Sequence, residues 1–251
     1  MNQNIVTESS KNIRALARVS LQGKWKLAVI GTLVYLVAVF LPSAILDSVF
    51  GGEYGTSPLS GLYSFVVAGP FSLGYSMFLM NLFRKKECDV AQVFYGFEKF
   101  IKAFALYFVM SLFIALWTLL FIIPGIIAAY RYSQCFLVMI DNPNYGILQC
   151  LSESKRIMTG NKGKLFCLEF SFIGWAILAC IPIMVLGGAL SFANPILLNF
   201  APMIGAIGYL WLTPYMSVAS IAFYELASGH LKPGVIEVEP ISIEETDRIG
   251  E

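Results

Sequence analysis

The stretch AFALYFVMSLFIALWTLLFIIPGIIAAYRYSQCFLVMI, residues 103–140, decides the architecture of this chain. It holds one charge, Arg131, and one helix-breaking pair, Pro124-Gly125, near its middle. A helix rises about 1.5 Å per residue, so the run is roughly twice as long as one crossing of a ~30 Å hydrocarbon core requires. Proline has no amide hydrogen and glycine accepts positive φ, so the central pair reads as a turn. The stretch is therefore expected to be a membrane-spanning helical hairpin, with spans over 103–123 and 125–141.

Moving outward, further apolar runs cover 27–46, 62–83, 165–186 and 202–227, giving six spans in all. The composition agrees. Hydrophobic residues make up 57% of the chain and charged residues 13%, about half the charge of an ordinary soluble domain. The mean hydropathy is +0.72. Twenty Phe, twelve Tyr and four Trp suit a lipid-facing protein with aromatic belts. The fold class expected is all-α, a single polytopic membrane domain over 1–230 followed by a tail over 231–251. The run at 27–46 is too long for the apolar core of a cleaved signal peptide and is read as a retained first span.

Three segments between spans have amphipathic helical spacing. Residues 11–23 place Ile13, Leu16, Ala17, Ser20 and Leu21 on one face and Lys11, Arg14 and Arg18 on the other. Residues 89–102 place Val90, Val93, Phe94, Phe97 and Ile101 on one stripe, and residues 145–160 repeat the pattern with Ile147, Leu148, Leu151 and Met158. All three are expected to lie at the membrane interface, the first attracted by anionic lipid. Lys24-Trp25-Lys26 reads as an interfacial anchor. Arg84-Lys85-Lys86 ends the second span, and Asp141-Asn-Pro143 ends the fourth.

Charge sets the orientation. Five Lys/Arg fall in 1–26, five in 84–102, four in 155–164 and two in the tail, so sixteen of the seventeen lie on one side. The loops at 47–60 and 187–199 have none. The positive-inside rule then predicts a plasma-membrane protein with both termini cytoplasmic. The tail carries six Asp/Glu against Lys232 and Arg248 and reads as disordered, with recruitment of a partner as its functional alternative. A formal net charge of +1 gives no reason to expect a nucleic-acid partner.

A unit recurs three times: amphipathic segment, glycine (Gly23, Gly96, Gly160), basic and aromatic residues, span, and a second span with a proline. Those prolines are Pro70, Pro124 and Pro214, each followed by a half-helix rich in aromatic and small residues. This predicts a threefold internal repeat. Broken helices either frame binding sites, as in transporters, or simply kink packed helices.

Arg131 is the charge that stands out, since a cation inside a span normally faces a bundle interior or a cavity. Two readings remain open for it. One is an anion or head-group site lined by Arg131, Tyr130, Tyr132 and Gln134. The other is a structural ion pair with Glu169 or Asp47, or an arginine that snorkels to the interface. Glu225 and His230 sit at the predicted cytoplasmic interface and read as caps. Ala201, Gly205 and Gly208 share a face suited to close helix packing.

No HExxH, GxSxG or phosphate-cradling glycine loop occurs, and no second histidine exists to join His230 in a metal site. The five cysteines form no CxxC pair and read as free thiols. Neither catalysis nor a cofactor nor a metal is expected.

The blocks GNKGKLFCLEFSFIGWAILACIPI and GYLWLTPYMSVASIAFYEL, with PGIIAAYRYSQCFLVMIDNP and SESKRIMTGN, resemble an integral-membrane family of Gram-positive bacteria known as domain of unknown function 975. The layout is more weakly similar to the membrane domain of some glycerophosphodiester phosphodiesterases. The resemblance implies a polytopic plasma-membrane protein and brings no catalytic residues. The function expected is a non-enzymatic membrane protein that binds lipid or a small amphiphile. A permease or transport-complex subunit, and a scaffold recruiting a cytosolic partner, are the alternatives. The partners expected are membrane lipids, with association with a second copy or another membrane protein left open.

Overall fold

A computed structural model describes residues 4–51, 56–181 and 209–231. Helix α3 (Pro58–Phe83) is the centre of the bundle. It packs against α2 (Trp25–Phe50), α5 (Phe100–Leu120), α7 (Cys135–Asp141) and α10 (Leu212–Ser228). Its start is well specified: Pro58 fills the first turn, where a missing amide costs nothing, and the Ser57 side chain accepts from the Leu59 amide. Asp47, near the end of α2, accepts from the Ser57 amide at 2.7 Å and from the Ser60 hydroxyl at 2.6 Å. Further down, Thr32 and Tyr75 share a hydrogen bond of 2.9 Å, and Tyr35 stacks on Tyr75. Burial concentrates in the half of α3 beyond Pro70, where Phe71, Leu73, Phe78, Leu79, Met80 and Leu82 are all inside.

The segment expected as an amphipathic helix over 89–102 is not one helix. Val90–Phe94 form a 3₁₀ turn, α4 covers Tyr95–Glu98, and the backbone breaks at Lys99 before α5. Of the expected stripe only Val93 is buried, while Ile101 is 81% exposed. The cause is close backbone contact. A Cβ at Gly74 would stand 2.0 Å from the Val93 carbonyl oxygen, and one at Gly96 would stand 1.9 Å from that of Pro70. Two bare backbones meet there, and that docking overrides the helical period of the side chains.

The hairpin forms, with its turn displaced from Pro124-Gly125 to Phe121, the one extended residue between α5 and α6 (Ile122–Tyr132). Pro124 is the third residue of α6, within the first turn, where amides have no intrahelical acceptor and proline is tolerated. Gly125 lets α6 touch α5, because a Cβ there would meet the Thr118 hydroxyl at 2.2 Å. A second break at Ser133-Gln134 separates α6 from the buried α7.

The first amphipathic helix, α1 (Ser10–Leu21), does not offer its apolar face to lipid. Ile13, Ala17 and Leu21 are fully buried against α10, α3 and α9 (Lys162–Phe170). Helix α8 (Ile147–Met158) likewise buries Cys150, Leu151, Ile157 and Met158. Gly23 and Gly160 follow these two helices with φ of +74° and +79°, the left-handed conformation that glycine takes without strain. Gly96 lies inside α4 and serves close packing instead, so the three repeat glycines do not share one role.

Among the described residues five helices are long and apolar enough to cross a membrane: Trp25–Phe50, Pro58–Phe83, Phe100–Leu120, Ile122–Asp141 and Lys162–Ile181. The loop expected over 187–199, the start of the sixth expected span with Ala201, Gly205 and Gly208, and nearly all of the acidic tail lie outside the described residues. The orientation has a direct test. Thr56 and Ser152 are both exposed, on opposite sides of the expected membrane. A cysteine at Thr56 should react with an impermeant thiol reagent on intact cells and one at Ser152 should not. Labelling at Ser152 alone would reverse the topology.

Candidate functional site

The strongest ionic feature is a clamp that joins three elements far apart in the chain. Arg84, just past α3, donates from Nη1 and Nη2 to the two Asp141 oxygens at 2.6 and 2.9 Å, and from Nε to Glu225 Oε1 at 2.7 Å. Tyr224 donates its hydroxyl to Asp141 Oδ2 at 2.9 Å, so that carboxylate accepts three bonds. His230 Nδ1 lies 3.1 Å from Glu225 Oε2 and 3.8 Å from Asp141 Oδ2. The Glu225 side chain is only 5% exposed. Burial by itself lowers the Arg84 pKa, but the bonds to Asp141 and Glu225 outweigh it and hold the guanidinium above its ordinary value. The planar fork of arginine suits this arrangement, with one edge bidentate and Nε left for a second acceptor.

In the sequence Arg84 and Asp141 read as span ends and Glu225 and His230 as caps, each by itself. The available signal was Glu225 within the apolar run FYELA, because a carboxylate there needs a partner.

Of the five residues named as neighbours or partners of Arg131, the structure brings Tyr130 and Glu169 together and sets Asp47 elsewhere. Tyr130 donates its hydroxyl to Glu169 at 2.5 Å. Asp47 is engaged at the α2–α3 turn. Tyr132 is buried against Phe113, with ring centres 6.1 Å apart. Gln134 is fully buried; its amide nitrogen donates to Ser133, and its Oε1 has no partner among the described residues. Arg131 borders a small cavity of about 190 Å³ with Trp117, Pro124, Ile127 and Ala128. Among the described residues no carboxylate pairs with it.

A larger cavity, of about 420 Å³, has a lining entirely different from that at Arg131. Trp25, Trp175, Trp211 and Tyr215 supply its aromatic walls, Leu178, Ala179 and Leu212 its aliphatic ones, and Arg18 the one cation among the described residues that line it. Helix α1 brings that cation in. The Tyr215 hydroxyl donates to the Arg14 carbonyl at 3.2 Å, and the Arg18 guanidinium sits 6.0 Å from the Tyr215 ring centre. Arg14 donates to the Ser171 carbonyl at 3.1 Å and stands over the Phe172 ring. The basic face expected among lipid head groups is thus turned partly toward the bundle. An apolar slot with one cation fits an amphiphile with an anionic head, and its size falls in the range of small-molecule sites. Trp25, taken from sequence as an interfacial anchor, is one wall of it.

The sequence matches the family described as protein of unknown function (DUF975) over residues 1–128 and again over 119–229. The chain belongs to that family. No curated protein and no solved structure matches it.

Proposed function

We propose that this family member is a non-enzymatic, six-span protein of the plasma membrane that binds an anionic amphiphile in the cavity beside Arg18. One observation carries the reading: three of the four tryptophans and one arginine surround a single slot of about 420 Å³. Aromatic rings offer a rigid apolar wall to an acyl chain, and a guanidinium selects a phosphate or carboxylate head. The cavity at Arg131 is less than half that volume and is walled by Trp117, Pro124, Ile127 and Ala128, which lends a transport pathway no support.

Tryptophan fluorescence tests the proposal in a Trp117→Phe background, where every remaining tryptophan lines the slot. Acyl-brominated phosphatidylglycerol should quench more strongly than acyl-brominated phosphatidylcholine at equal mole fraction. Arg18→Gln should abolish the difference. Equal quenching by the two lipids in the Trp117→Phe protein would overturn the assignment.

A further inference from the structure

We infer that the chain forms a symmetric homodimer through the face of α6, with Arg131 of each copy paired to Glu169 of the other. The inference rests on the membrane reading and is independent of the ligand in the Arg18 cavity. Pro124, Ile127, Ala128 and Arg131 recur at i, i+3, i+4 and i+7, and they form the side of α6 that turns toward Trp117 of α5. Tyr130, about 100° around the helix from Arg131, reaches a different neighbour, where its hydroxyl holds Glu169 of α9. That bond ties Glu169 to the residue next to Arg131 in α6, within one tyrosine side chain of its turn. Ile123 and Ile127, 71% and 43% exposed, lie between the two charges.

A cation and a carboxylate thus flank an exposed apolar ridge near the same turn of α6. Among the described residues neither has an ionic partner within the chain. The cavity that Arg131 borders is walled by Trp117, Pro124, Ile127 and Ala128, which offer its charge no counter-ion, and a charge inside a bilayer calls for one. When two copies meet about a twofold axis along the membrane normal, the left flank of one faces the right flank of the other. Each Arg131 then meets a Glu169, and the patch is self-complementary, as an isologous contact requires.

The test uses full-length protein in phosphatidylcholine bilayers, with copies counted by single-molecule photobleaching. Wild type should bleach in two steps. Arg131→Glu alone and Glu169→Arg alone should each reduce the two-step fraction about tenfold, since like charges then face each other. Mixing the two single variants should restore it as heterodimer, because both cross-pairs become attractive. A pairing confined to one chain cannot produce that rescue. Ile127→Cys, in a chain with the native cysteines replaced, retains both charges and should cross-link to itself across the axis. One-step bleaching of wild type, no recovery on mixing, or no cross-link at Ile127→Cys would each overturn the proposal, while quenching at the Arg18 cavity would remain as it was.

Discussion

Arg84→Leu should lower the stability of the detergent-solubilised protein by about 3–5 kcal/mol, the range for a buried ion pair that loses one member. The size follows from what the substitution strands. Asp141 would keep the Tyr224 hydroxyl and His230 at 3.8 Å, and Glu225, 5% exposed, would keep only His230. Both carboxylates would then have to hold their charge without the guanidinium, or bind protons. Neutralising them is therefore the informative second step. Arg84→Leu combined with Asp141→Asn and Glu225→Gln should recover a substantial part of the loss, because no uncompensated charge remains. Thermal melts of wild type, Arg84→Leu and the triple variant check this. If the triple variant is no more stable than Arg84→Leu alone, the cost lies in lost packing of the arginine stem and not in stranded charge.

The second large effect is expected where backbones touch. Gly96→Ala should cost about 1–3 kcal/mol, the range for overpacking a filled core, and Gly74→Ala a similar amount. The obstacles are carbonyl oxygens, Pro70 at 1.9 Å and Val93 at 2.0 Å from the new Cβ, and neither can swing aside as a side chain can. Gly61→Ala is the control. It lies in the same helix as Gly74, has nothing within 4 Å of the added carbon, and should change the melting temperature little or raise it slightly. Equal melts for Gly96→Ala and Gly61→Ala would mean that the segment 90–98 is not seated on α3 as described.

These two effects show what was and was not legible along the chain. The α5–α6 hairpin could be read from 103–140 because it is local: one apolar run, one breaker, and a return over the same ground. Its turn was misplaced by a few residues because proline is harmless in the first turn of a helix, so the pair Pro124-Gly125 belongs to the start of α6 and not to the turn. The segment 89–102 departs from its helical pattern for another reason. Its apolar period suggested side-chain burial, yet the contact is made by Gly74 and Gly96, which contribute nothing to a hydrophobic pattern. Helix α1 had the right face marked as apolar, but the pattern could not say whether lipid or protein would cover it.

The sequence by itself determined that the chain forms helices long and apolar enough to cross a bilayer, and which of its segments carry the charge. Hydropathy and charge are sums over neighbouring residues, so they are complete before any fold exists. Only the tertiary structure decided which groups meet. Arg84 finds Asp141 57 residues away and Glu225 141 residues away, and Glu169 takes the Tyr130 hydroxyl rather than Arg131. Such pairings depend on how each helix is rotated about its axis and on where backbones can approach. Both are set by side-chain shape across the whole bundle, and no window of sequence contains them.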